Sequence, residues 1–187
     1  ASAHDTVGFL CFDFDAAGYR AATSGGDSTR VFHPSRPPTL LEGTSGWDFV
    51  EYEHNSRTAF KPGLVATAAG ARLRLALALG GVPNPILAIQ YLASWAGMGT
   101  VAVACAEGCR CAPSEIDANR PSEHVTVLHT QRLTLSLDAG HGHGGRCLLE
   151  LRVLARSSSE GHRFKLARLI IEGDRVGAWG DGLTMGM

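Results

Sequence analysis

Arg72-Leu73-Arg74-Leu75-Ala76-Leu77-Ala78-Leu79 places a leucine at every second position, with arginine or alanine between. Successive side chains of an extended strand point to opposite sides, so this octapeptide buries one face and turns the other to water. A helix would scatter the same four leucines around its circumference. The period recurs downstream, where Cys147, Leu149, Leu151 and Val153 alternate with Glu150 and Arg152. Val125, Val127, Leu133, Leu135 and Leu137 share an odd face, opposite His124, Thr126, Thr130, Arg132, Thr134 and Ser136. His129 and Gln131 interrupt that apolar side, which predicts a bulge or bend there. Residues 86–95 are apolar on both faces, as in a central strand covered on both sides; a buried helix is the competing reading. Val7–Phe14, Trp47–Tyr52, 100–105 and 164–172 read as further strands.

Turn-forming residues separate these runs. They are Lys61-Pro62-Gly63, read as a hairpin entry, and Gly80-Gly81-Val82-Pro83-Asn84-Pro85, Ala112-Pro113-Ser114 and the glycine-histidine run at 140–145. Eight or nine short strands and no helix describe an all-β fold, an antiparallel β-sandwich or jelly roll. Glycine supports this, since 23 of 187 residues is well above the usual ~7% and helices tolerate glycine poorly. The organisation expected is an N-terminal strand (1–20), a Gly/Ser/Pro-rich loop (21–45), a sandwich body (46–172) forming one domain with 1–20, and a C-terminal tail (173–187).

Charge excludes some partners. Seventeen Lys and Arg against eighteen Asp and Glu leave −1, without the basic excess that phosphate neutralisation requires, so nucleic acid is not an expected partner. No apolar run is long enough to insert into a membrane. Ala1 to Asp5 has neither a basic start nor a long apolar stretch, so the numbering reads as starting at a mature or excised N-terminus.

The cysteines are Cys11, Cys105, Cys109, Cys111 and Cys147. The spacings within Cys105-Ala-Glu-Gly-Cys109-Arg-Cys111 lack the two paired knuckles of a zinc site, so all five are disulfide candidates, with at least one bridge expected from the 105–111 cluster. Fifteen two-bridge arrangements remain open. Disulfides imply an oxidising compartment, hence an extracellular or cell-surface protein of the secretory pathway.

A longer set of landmarks carries a family likeness. In order they are Cys11-Phe-Asp-Phe-Asp15, Gly46-Trp47 with Val50, Lys61-Pro-Gly-Leu-Val-Ala-Thr67, Gly70, and Tyr91-Leu-Ala-Ser94-Trp95-Ala-Gly97-Met98-Gly99, then Cys105, Cys109, Cys111, Cys147 and Phe164-Lys165. From Cys11 to about Ile171 the chain resembles a β-rich domain that accompanies SGNH/GDSL-type hydrolase-like proteins of green algae and land plants. The resemblance implies a non-catalytic companion to a separate hydrolase-like domain.

Four groups of residues are candidates for chemistry. Gly26-Asp27-Ser28 and Asp138-Ala-Gly-His141 spell fragments of a serine esterase, with Ser28 as nucleophile and Asp138 and His141 as its support. The polar segment before Ser28 and the lack of helices make this the alternative reading only. His141 and His143, with His124, His129 and His162, or the oxygens of Asp13, Asp15 and Glu51, are the possible metal ligands; no spacing singles them out, so neither metal nor cofactor is assigned. Tyr91 and Trp95 share the parity of Leu87 and Ile89, so both are expected in the core, with Gly97 and Gly99 turning the chain after Trp95. Trp47 and Asp48, at a strand start, are the expected ligand-binding pair at the surface. The function that follows is a non-catalytic module that binds glycan or a neighbouring protein domain or subunit, or supports such a domain structurally.

Overall fold

The computed structural model of the chain describes residues 7–14, 32–33, 39–40, 43–52, 60–79, 82, 84–138 and 146–174. Among them are fourteen strands and no helix: β1 (Val7–Phe14), β2 (Phe32–His33), β3 (Thr39–Leu40), β4 (Trp47–Tyr52), β5 (Phe60–Ala66), β6 (Arg72–Ala78), β7 (Ile86–Ala93), β8 (Thr100–Glu107), β9 (Cys109–Arg110), β10 (Ser114–Asp117), β11 (Val127–Thr134), β12 (Ser136–Leu137), β13 (Arg146–Val153) and β14 (Phe164–Asp174). A seven-stranded sheet has the order β11-β7-β14-β1-β2, with β5 also on β14 and β4 on β5; a five-stranded sheet has the order β10-β8-β13-β6-β3. All pairings between these strands are antiparallel, and β9 and β12 form a separate small ribbon.

The alternation read from the sequence sets the core. Leu73, Leu75 and Leu77 of β6, Cys147, Leu149, Leu151 and Val153 of β13, and Val101 and Val103 of β8 form one buried layer. Leu87, Ile89 and Tyr91 of β7 and Phe164, Leu166, Leu169 and Ile171 of β14 form the other. Fully burying one such aliphatic side chain stabilises the fold by about 1.5–3 kcal/mol. In β14 the buried parity switches from even to odd. The extra residue is Ala167, where the pairing with β7 slips between Leu166 and Arg168. One bulged residue returns the second half of the strand to the core side.

Four expectations need correction. Residues 86–95 do form a strand, but it ends at Ala93, so Trp95 stands on the following turn and is 48% exposed. Trp47 is the buried tryptophan, 4% exposed, packed edge-to-face on Phe164 with ring centroids 6.2 Å apart. Its place at a strand start does not bring it to the surface, because β4 lies against β5 and Trp47 pairs with the fully buried Ala66. Lys61-Pro62-Gly63 is no turn; it runs inside β5. The pairing of β4 with β5 is irregular between Val50 and Tyr52, which accommodates a proline without an N–H, and a Cβ at Gly63 would stand 2.6 Å from the Leu166 carbonyl oxygen. Lastly, β11 pairs with β7 in unbroken register through His129 and Gln131, with no bulge.

Two disulfides brace one end of the five-stranded sheet. Cys105–Cys111 ties β8 to the segment after β9, and Cys109–Cys147 ties β9 to β13. The side chain of Cys11 lies outside the described residues, as do Ser28, Asp15, His141, His143 and the tail from 175 onward.

Candidate functional site

The two sheets do not close equally along their length. On β6 every inward leucine is fully covered, because β3 and β13 flank it and the opposite sheet lies over it. β11 is the edge of its own sheet, paired only with β7, and the facing edge strand β10 has four residues. The inward side chains Val127, His129 and Gln131 are therefore only partly buried, and Leu133 alone is buried. The result is an open slot along the sandwich edge. From His129 to Leu133 it extends about 14 Å at the usual strand rise.

One end of the slot is a cleft of ≈ 520 Å³ between the disulfide-braced segment and β11, lined by Arg110, Cys111, Ser114, Gln131, Leu133 and Thr134 among others. Arg110 Nε lies 2.9 Å from Asp138 Oδ1. Asp138 is thus held in an ion pair; Ser28 and His141, the other two members of the esterase reading, lie outside the described residues.

The other end is a cluster of polar groups around a buried phenol. The Tyr91 ring is stacked on Phe164 at 5.4 Å and lies 6.0 Å from the His129 ring. Arg120 Nη2 donates to Tyr91 Oη over 3.4 Å, while Arg120 Nη1 donates to the carbonyls of Asp117 and Asn119, both at 2.9 Å. His129 Nε2 sits 3.4 Å from the Glu123 carboxylate. Burial pushes the Tyr91 phenol above its ordinary 10.0; the Arg120 charge opposes this, and Asp117 and Glu123 add to it. The phenol is therefore neutral at physiological pH, and its oxygen accepts from Arg120.

Trp95 borders this cluster on a turn that is fastened from both sides. Ser94 N donates to Ala118 O (3.1 Å), Arg120 N donates to Ser94 O (2.8 Å), and the Ser94 and Thr126 hydroxyls are 3.3 Å apart. Gly97 has φ +70°, a conformation glycine adopts without strain, and its carbonyl accepts from Arg163 N (3.2 Å). Met98, 4% exposed, anchors the turn in the core, and its carbonyl accepts from Ser157 Oγ and Ser159 Oγ. A large aromatic residue is thus exposed on a turn whose backbone is fastened to the segment from Ala118 to Arg120. Nothing in the local sequence of Trp95 marks this, since the strand boundary after Ala93 decides which way the ring goes.

Asp48 is exposed, as expected, but its neighbour Trp47 is in the core. Of the histidines proposed as ligands, His129 faces Glu123 and Tyr91. Among the described residues, the sulfurs of Cys105, Cys109 and Cys147 are the group close enough to share a metal, and all three are in disulfides.

No family model and no curated protein matches the chain. Among solved structures it is similar to a two-domain esterase (CEX) active on acetylated mannans, co-crystallised with mannopentaose, at 18% identity and a TM-score of 0.46 over 78% of this chain and 42% of that one. It is similar to the ANXUR2 extracellular domain from Arabidopsis thaliana at 10% identity and a TM-score of 0.49, over 74% of this chain and 41% of that one. It is also similar to the CBM36-1 domain of a multidomain xylanase from the hindgut metagenome of Trinervitermes trinervoides, at 12% identity and a TM-score of 0.42, over 73% of this chain and 96% of that one. The chain thus spans about four tenths of the first two. These likenesses concern the fold alone.

Proposed function

We propose that this chain is a non-catalytic glycan-binding module of a secreted or cell-surface protein, with Trp95 as its stacking platform. The observation that carries the reading is the exposure of Trp95 on a turn fastened by backbone hydrogen bonds from two neighbouring segments. An aromatic face in water is an unfavourable place for an apolar group unless something covers it. A sugar ring does so with its C–H face while its hydroxyls keep polar partners. Arg120, whose N–H is bonded to Ser94 O, and the Glu123–His129 pair are the polar groups this reading assigns to the sugar hydroxyls. The slot continues along β11 past Gln131, which suits a chain of several sugar units. Because the turn is rigid, little conformational entropy is lost on binding.

The two disulfides support an oxidising compartment. The companion role beside a separate hydrolase-like domain follows from the landmarks quoted above and is part of the same reading. A second reading, docking of a neighbouring domain or subunit, is favoured by Val125 and Leu128, which are 62% and 53% exposed near the same rim.

Affinity electrophoresis through gels containing neutral glucan, mannan or xylan tests the first reading. Retardation in at least one gel, lost in Trp95→Ala and kept in Leu128→Ser, supports it. No retardation in any gel, together with capture of a neighbouring domain that Leu128→Ser abolishes, supports docking instead.

A further inference from the structure

The outward face of the five-stranded sheet carries a charge pattern that the glycan slot does not use. One row across four strands reads Glu115 (β10), Ala102 (β8), Arg152 (β13) and Arg72 (β6), and the next reads Ala104, Glu150 and Arg74. These side chains point away from the core, since Leu73, Leu75, Leu149 and Leu151 of the same strands are fully buried. Arg72 and Arg152 are direct cross-strand partners. Like charges placed opposite one another in a sheet destabilise it. Glu150 is a neighbouring carboxylate, and its two oxygens are divided between Arg72 Nε (3.4 Å) and Arg74 Nε (3.8 Å). Arg152 is exposed and has no ion pair among the described residues. Glu115 offers no relief, because both its oxygens accept from Arg156 Nη2. Among the described residues, Arg152 is thus an exposed guanidinium without an ion pair directly opposite Arg72, on a chain whose formal charge is −1.

We propose that this face binds an acidic polysaccharide, with Arg72 and Arg152 as a paired guanidinium clamp for carboxylates on successive sugar units. The proposal rests on the glycan reading for the class of polymer, but not for the site, which lies on the other sheet. Ala102 and Ala104 leave a shallow floor one strand wide beside the arginines, so a chain can lie against them without displacing large side chains. A guanidinium presents parallel N–H donors that match both oxygens of a carboxylate. Binding a carboxylate would also relieve the repulsion between Arg72 and Arg152. Nucleic acid is the less suitable polyanion, because the described rows of this face offer no aromatic ring for base stacking and the chain lacks an overall basic excess.

The test uses the intact oxidised chain in native gels containing polygalacturonate, neutral glucan or no polymer. The expected result is retardation by polygalacturonate at low salt that vanishes near 1 M salt, where screening shortens to about 3 Å. Arg72→Gln with Arg152→Gln should weaken that retardation roughly tenfold or more, as loss of hydrogen bonds to charged groups predicts. Arg152→Lys should retain part of it, and any retardation in neutral gels should be unchanged. Equal retardation of the double variant and the parent overturns the proposal, as does equal competition by an RNA of matched charge. Trp95→Ala separates the two sites. If it alone abolishes retardation in both kinds of gel, the arginine face has no role. If no neutral polymer retards the chain while the arginine-dependent effect persists, the Trp95 reading fails and this one stands.

Discussion

Trp47 is buried and Trp95 exposed, although Trp47, beside Asp48 at a strand start, reads from the sequence as a surface residue and Trp95, at the end of an apolar run, as a core one. Trp47 opens a short strand and is packed on Phe164 inside the sandwich; Trp95 follows the most apolar strand of the chain and stands in water. The difference lies in what faces each ring. Trp47 is on β4, beside β5 and under the facing sheet. Trp95 lies just beyond the end of β7 at Ala93, on an exposed turn. A tryptophan is buried by its neighbours across the fold more than by its neighbours in the chain.

Truncation should separate the two rings most clearly. Trp47→Ala leaves a large cavity beside Phe164 and should cost about 3–5 kcal/mol, read as a lower urea midpoint, without touching glycan binding. A loss below about 1 kcal/mol would put the core boundary elsewhere. The disulfides come next and differ between themselves. Cys109–Cys147 spans 38 residues and Cys105–Cys111 spans 6. Closing a longer loop constrains the unfolded chain more, so replacing both partners by alanine should cost about 4 kcal/mol for the first pair and about 2 for the second. Equal losses would mean that unfolded-chain entropy is not what these bridges control.

Tyr91→Phe probes the ground beneath the rim. Losing its hydrogen bond to Arg120 should cost about 1 kcal/mol at neutral pH. Because burial raises the phenol's pKa, the folded chain holds that proton to higher pH than the unfolded one. Stability is then flat from this group below its ordinary 10.0 and falls as pH rises beyond it through the folded value. Thermal melts in alkaline buffers should show the fall, and Tyr91→Phe should reduce it. An identical alkaline profile in both proteins would contradict the burial of the phenol.

The sequence shows one half of this architecture well. In β6 and β13 strict alternation specifies both the strand and its buried face, because each strand is covered along its whole length. The rest depends on partners distant in the chain. The parity change in β14 looks like noise until β7 is laid beside it and Ala167 is left over. Proline and glycine in Lys61-Pro62-Gly63 are turn residues by local rules, yet the close approach of β14 and the irregular pairing with β4 determine their place. His129 and Gln131 looked like an interruption of a buried face; they are the inward residues of a strand whose facing sheet ends early. That the 105–111 cysteines would form a bridge was readable from their crowding, whereas the partner of Cys109 required the neighbourhood of β9 and β13. The rim itself, Trp95 with Arg120, Glu123 and His129, is assembled from three separate stretches and had no local signature.

Trp95→Ala should give the smallest change in stability of the set and the largest in binding, and measuring both on one sample tests the central claim most directly. Calorimetric titration with the neutral polysaccharide fragment that the parent binds should show binding abolished, while the thermal midpoint corresponds to a stability change within about 0.5 kcal/mol, as for other exposed positions. A midpoint that falls as far as that of Trp47→Ala, with binding retained, would contradict the account and return Trp95 to the core.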